Sequence, residues 1–74
     1  MTKVILESWR EGLQKISLSK LQNEKLGMSL TDSKKNVDML LDDHSIIFEI
    51  EDEIVAQEFL VEAKRLGVNC KILK

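Results

Sequence analysis

Residues 46–51 are the part of the sequence that most constrains the fold. Apolar side chains occupy every second position of this run, at Ile46, Phe48 and Ile50. Successive side chains of a β-strand point to opposite faces of a sheet, so the alternation predicts a strand with one buried face. A single strand is not stable alone. The rest of the chain must therefore supply partner strands and a layer that covers the buried face.

Residues 3–7 and residues 68–73 also have the composition and alternation of strands. In a small sheet, one face of each strand packs on the helices and the other points outward. The side chains that we expect to face the helices are Val4, Phe48 and Cys70. The side chains that we expect on the outer face are Ile5, Ile47 and Leu73.

Three helices are predicted between the strands, over residues 13–25, 30–41 and 53–66. Gly27 suits the left-handed cap that ends the first helix, because glycine adopts this conformation without steric cost. Ser29, with Asp32 three residues later, forms a capping pattern at the start of the second helix. Asp52 can cap the third helix, which Gly67 ends. The apolar residues of the first helix, which are the least regularly spaced, are Leu13, Ile16, Leu18 and Leu21.

The resulting element order, β-α-α-β-α-β, predicts a small α+β protein. A sheet with one apolar face packs against helices, which gives a two-layer sandwich of a three-stranded sheet covered on one face by three helices. A chain of 74 residues has room for one hydrophobic core. We therefore expect a single domain over residues 1–74.

The composition excludes several classes of protein. Cys70 is the single cysteine, so an intramolecular disulfide and a paired-cysteine metal or redox motif are impossible. No apolar run approaches the roughly 18 residues of a membrane span, and the apolar start of the chain is too short for a signal peptide. These features favour a soluble protein of the reducing cytoplasm that has no membrane association.

The residues that could carry chemistry do not form a recognisable site. His44 follows Asp42 and Asp43, but a divalent metal needs three or four converging ligands, and no second histidine exists. We interpret His44 as a helix-terminal residue, and Cys70 as a small core residue. The serines lack a nucleophile motif, and there is no glycine-rich phosphate loop. The sequence thus predicts a non-enzymatic protein with no catalytic residue, metal or cofactor.

Charge is distributed unevenly along the chain. Residues 1–36 carry seven Lys or Arg against four Asp or Glu, whereas residues 37–74 carry four against nine. The net charge of −2 is not that of a uniformly basic nucleic-acid binder, so such a function is only an alternative here. The excess of positive charge in the first half predicts a basic patch there.

Two apolar features lie outside the predicted core. Trp9 is the one large aromatic residue outside a predicted element, and it is either an anchor for a partner or a lid over one end of the core, of which we favour the lid. Ile5, Ile47 and Leu73 would expose an apolar patch on the sheet. Such a patch predicts a homodimer or another partner on this face.

The first two predicted helices share a pattern of residues with a known family. Residues 15–20 read Lys-Ile-Ser-Leu-Ser-Lys, and residues 26–30 read Leu-Gly-Met-Ser-Leu at the start of a helix that carries Lys34. Gly67 then precedes Val68 and Ile72. These segments resemble the C-terminal domain of the bacterial ribosomal stalk protein, with its motif Lys-Val-x-Val-Ile-Lys followed at the same spacing by Gly-Leu-Gly-Leu-Lys-Glu-Ala-Lys. The resemblance spans nearly the whole chain with few identities, and it implies a ClpS-like fold.

The resemblance also implies a binding surface. In the stalk family, the face of the first two helices recruits translation GTPases through basic and apolar side chains. By position, Ile16, Lys20 and Lys34 match residues of that face, and with Leu18 they are our predicted contact surface. We expect a stand-alone module that binds a protein partner, with recruitment of an elongation GTPase as an alternative. The chain is also similar to the ClpS adaptor, but its Asn-Asp-Asp stretch is missing, so no amine-binding pocket is predicted.

Overall fold

The structure is a computed structural model that describes residues 2–73, and its elements follow the predicted order. The strands are β1 (Thr2–Trp9), β2 (Ile46–Ile50) and β3 (Val68–Leu73). The helices are α1 (Lys15–Leu26), α2 (Leu30–Leu41) and α3 (Glu53–Arg65). Met1 and Lys74, the two ends of the predicted domain, lie outside the described residues. The predicted α+β fold, with a three-stranded sheet packed against helices, is confirmed.

The sheet has the order β2-β1-β3, and β1 is antiparallel to both of its neighbours. Ile5, in the middle of β1, lies opposite Ile47 of β2 and Lys71 of β3. The first strand of the chain is therefore the central one, and both later strands are edges. Helices α2 and α3 pack on the sheet, and α1 packs against both of these helices.

Strand β1 is longer than predicted. A register shift between Leu6 and Ser8 absorbs one residue, and pairing then continues until Trp9 lies opposite Val68. A bulge of this kind lets a strand bend without losing its partner. The prediction that Trp9 lies outside a regular element is therefore wrong.

Helix α1 begins two residues later than predicted, at Lys15. The main-chain N–H of Leu13 donates to the oxygen of Arg10 at 3.2 Å, and that of Gln14 donates to the oxygen of Leu66 at 3.0 Å. Both amides thus belong to a turn that is tied to the end of α3. This contact is distant in sequence, which is why local pattern did not reveal it.

The predicted helix caps are confirmed. Gly27 follows α1 in the left-handed conformation, with φ of 66°. The Ser29 hydroxyl accepts a hydrogen bond from the N–H of Asp32 at 3.1 Å, and the Asp52 carboxylate accepts one from the N–H of Ile54 at 2.8 Å. These side chains satisfy amides that have no partner within the helix.

One hydrophobic core lies between the sheet and the helices. Val4 and Cys70 are buried in it, and the half-buried ring of Phe48 packs edge-to-face on Phe59 with centroids 5.6 Å apart. The three inward side chains of the sheet are therefore placed as predicted. The other buried apolar residues of this core are Leu6, Leu18, Leu21, Val37, Leu40, Ile46, Ile50, Ala56, Ala63 and Val68. No helix within residues 2–73 has the length and apolar character to cross a bilayer.

Candidate functional site

A groove between α1 and α2, which we call the α1–α2 groove, brings together three of the four predicted contact residues. Its volume is about 340 Å³. The side chains that line it are Lys15, Ile16, Ser19, Lys20, Leu30, Lys34, Val37 and Asp38. Ile16, Lys20 and Lys34, which are 18 positions apart at their extremes, thus share one surface.

Leu18 does not belong to this surface. Its side chain is fully buried in the core, on the same side of α1 as Leu21. Residues that are two positions apart in a helix point about 200° apart around its axis, so Leu18 and Ile16 cannot face the same way. A partner could reach Leu18 only if the core opened. The prediction that Leu18 belongs to the contact surface is therefore wrong.

The apolar part of the groove is formed by residues at the ends of the two helices. Ile16 is 75% exposed, and Leu30 is 53% exposed. Val37 lies between them as a buried floor. Ser33, Val37 and Leu40 form the buried face of α2, and Leu30 is not part of it. The groove therefore has an exposed leucine that the sequence pattern alone did not assign to binding.

The rim of the groove is basic. Lys15, Lys20 and Lys34 are exposed, and in the described part of the chain none of them forms an ion pair. Asp38 is the one acidic side chain among the lining residues. In contrast, Lys25 at the far end of α1 bonds Glu58 of α3 at 2.7 Å, and this hydrogen bond and charge raise the pKa of Lys25. The groove thus carries the positive charge predicted for the first half of the chain.

Buried polar contacts set α1 against α2 beside the groove. Gln22 is fully buried, and its amide nitrogen donates to the main-chain oxygen of Ser33 at 3.3 Å. Asn36 donates to the amide oxygen of Gln22 at 3.0 Å. Because both helices line the groove, these bonds help to determine its shape. Sequence reasoning missed Gln22, although its position four residues after Leu18 puts both on one side of α1.

The outer face of the sheet carries a smaller apolar patch than predicted. Ile47 is 56% exposed and lies opposite the half-buried Ile5, whereas the half-buried Leu73 lies opposite Lys3. The ion pair of Lys3 with Glu49, at 3.9 Å, flanks the isoleucines on one side, and that of Lys71 with Glu7, at 3.8 Å, lies on the other. Self-association through this face stays a prediction.

Trp9 lies away from both surfaces, at the end of β1, and is 40% exposed. Next to it, the guanidinium of Arg10 donates to the main-chain oxygen of Val68 at 3.1 Å and to the side chain of Asn69 at 2.7 Å. These bonds tie the end of β1 to the start of β3. The favoured role of Trp9 as a lid, and its alternative role as an anchor, stay predictions.

Of the residues considered for chemistry, His44 lies on the surface and Cys70 lies in the core. His44 follows the end of α2, and its Nε2 lies 3.6 Å from a carboxylate oxygen of Asp42. Within residues 2–73, no three His, Cys, Asp or Glu side chains are grouped as metal ligands. Cys70 is buried, its thiol donates to the main-chain oxygen of Leu60 at 3.5 Å, and burial raises its pKa. A thiol with a raised pKa is a poor nucleophile.

Comparison of the chain with models of protein families, with curated proteins and with solved structures finds no match.

Proposed function

We propose that this protein is a non-enzymatic protein-interaction module, and that its α1–α2 groove binds a partner surface carrying apolar and acidic side chains. The observation that carries the proposal is the exposure of Ile16 and Leu30 beside three lysines that form no ion pair with any residue from 2 to 73. Exposed apolar side chains beside mostly positive charge are what a specific protein contact uses.

The apolar side chains supply the affinity in this proposal. Full burial of a Leu or Ile side chain is worth about 1.5–3 kcal/mol. Ile16 and Leu30 are more than half exposed, so a partner that covers both would gain a large share of that free energy. The fold itself gains little from either side chain. Their substitution should therefore affect binding more than stability.

In this proposal, the lysines orient the partner and raise the rate of association. Lys15, Lys20 and Lys34 surround the groove, and a partner with carboxylates at matching positions would be attracted and aligned by them. Such attraction between exposed charges weakens as salt is added, because ions screen it over about 8–10 Å at physiological ionic strength.

An elongation GTPase is the first partner to test, since the resemblance to the stalk domain implies GTPase recruitment by the same residues. Titration of a purified elongation GTPase with the protein, followed by calorimetry, should give a dissociation constant in the micromolar range. Ile16→Ser should raise this dissociation constant. If no heat of binding appears at high micromolar concentration, this GTPase is not the partner. That result would leave another protein as the partner of the α1–α2 groove.

The broader proposal is tested by affinity capture from native cytosol with three forms of the protein. The wild type is compared with a Lys20→Glu, Lys34→Glu variant and with a Lys35→Glu, Lys64→Glu control. The control changes two exposed lysines that do not line the groove. We expect the groove variant to lose partners that the wild type and the control both retain. Recovery of the same partners by all three forms would show that the groove is not the binding site.

A further inference from the structure

One side of β2 has no partner strand among residues 2–73. Strand β2 lies at one edge of the sheet and pairs with β1 alone. Among the described residues, no backbone or side-chain hydrogen bond outside this pairing reaches the main chain of Ile46–Ile50. In a strand, alternate residues direct their N–H and C=O groups to opposite sides. Part of this main chain is thus available to an added strand.

An apolar groove lies beside this edge. It runs between the end of α1, the second half of β2 and the start of α3, with a volume of about 480 Å³. Its apolar side chains are Leu26, Met28, Phe48, Ile50 and Val55. All of these except Ile50 are half-buried, so they keep apolar surface available for contact. Methionine adapts to side chains of different shape, which suits a site of this kind.

The surroundings of the edge are acidic. Glu49, Glu51 and Asp52 line the groove, although Glu49 also forms an ion pair with Lys3 at 3.9 Å. Asp42 and Asp43 precede the strand. Lys25 is the one basic lining residue, and it already forms an ion pair with Glu58. Glu51 is exposed and forms no ion pair with any residue in the described range. The net charge around the edge is therefore negative.

This charge argues against a second copy of the chain as the occupant. Two β2 strands that paired antiparallel about Phe48 would bring the acidic residues after one strand close to those before the other. Like charges in neighbouring strands destabilise pairing, and natural edge strands use this to avoid self-association. A basic segment would instead meet complementary charge.

We propose that the β2 edge binds an extended peptide segment in which apolar and basic residues alternate. The segment adds a fourth strand to the sheet through main-chain hydrogen bonds, as in other cases of strand addition. Its apolar side chains enter the groove beside Phe48 and Met28. Its basic side chains point to the other face, where Glu49 is exposed, and extend toward Glu51 at the end of the strand. This site is separate from the α1–α2 groove.

The test is an NMR titration of the ¹⁵N-labelled protein with a capped seven-residue peptide of alternating valine and lysine. We expect shifts and slowed hydrogen exchange at amides of β2, and no such changes at the α1–α2 groove. Glu51→Lys should weaken the affinity about two- to fivefold, the effect of one exposed charge pair, whereas Glu24→Lys, an equal charge change on α1, should not. A peptide N-methylated at alternate residues, which cannot donate along one edge, should fail to bind.

Three results would overturn the proposal. The first is an absence of shifts at β2 at millimolar peptide, and the second is equal binding of the N-methylated peptide, which would show that no strand is added. The third is movement of the β2 signals with protein concentration, without peptide, in the Ile47→Lys variant, which lacks the apolar centre of the outer sheet face. That result would assign the edge to a second copy of the chain.

Discussion

Gln22 of α1 donates from its side-chain nitrogen to the main-chain oxygen of Ser33 in α2, at 3.3 Å, with both residues fully buried. The same nitrogen lies 3.3 Å from the main-chain oxygen of Leu18, and Asn36 donates to the oxygen of the amide. In the range 2–73, every buried side-chain nitrogen and oxygen has a hydrogen-bond partner. A satisfied buried network favours one relative placement of two helices over others.

Replacement of this glutamine should be costly. In Gln22→Ala, the cavity and the loss of the acceptor for Asn36 should together lower the free energy of unfolding by about 2–3 kcal/mol. Urea unfolding followed by circular dichroism measures this change. The matched control, Glu24→Ala, alters an exposed residue of the same helix and should stay within about 0.5 kcal/mol of the wild type. Equal stability of the two variants would contradict a structural role for Gln22.

Two glycines with positive φ should differ in their tolerance of alanine. A Cβ at Gly67, where φ is 103°, would lie 3.0 Å from the Cα of Leu13, whereas a Cβ at Gly27 would meet no atom within 4 Å. We expect Gly27→Ala to lower the free energy of unfolding by about 1 kcal/mol, since only the strain of a left-handed backbone conformation applies. Gly67→Ala should cost more than about 2 kcal/mol, because main chain must also move. Thermal unfolding of both variants tests the difference, and similar melting temperatures would refute the contact with Leu13.

Cys70 should make stability depend on pH in the alkaline range. Burial raises the pKa of this thiol in the folded state, so the folded chain keeps its proton to higher pH than the unfolded chain, whose thiol titrates near about 8.5. The stability that this provides is fully present below about pH 8.5 and is lost as pH rises through the folded pKa. Unfolding at several pH values should show the loss in the wild type, and Cys70→Ala should show less of it. If the stability of the two proteins changes with pH in the same way, Cys70 is not the cause of the loss.

Self-association through the outer sheet face should be weak and should depend on Ile47. Only Ile47 and Ile5 form the centre of the patch, with ion pairs on both sides, so the apolar area is small. We expect a dimer only at high concentration, and Ile47→Lys should abolish it in static light scattering. Val61→Lys, which changes another residue that is more than half exposed, serves as the control. If the wild type stays monomeric at every concentration, the prediction of a dimer is wrong.

The strands and the helix caps were predictable because their signals are local. Alternation in residues 46–51 and 68–73 identifies strands regardless of what surrounds them, since side chains of a strand must alternate. Ser29 and Asp52 cap helices through amides two or three residues away, so their role is readable from neighbouring positions. The candidate site was predicted in part by another route, because the resemblance to the stalk domain implied that Ile16, Lys20 and Lys34 share one surface.

Local pattern alone determined the α+β class, the element order and most element boundaries, while the tertiary structure decided the strand order and the burial of α1. The apolar residues of α1 do not form one stripe, so packing against α2 and α3 selected its buried side. That packing buries Ser19 and Gln22 with Leu18, and leaves Ile16 exposed. Leu30 became a groove residue for the same reason. Which side chains remain free to bind depends on contacts between residues far apart in the chain, and periodicity along one segment carries no information about them.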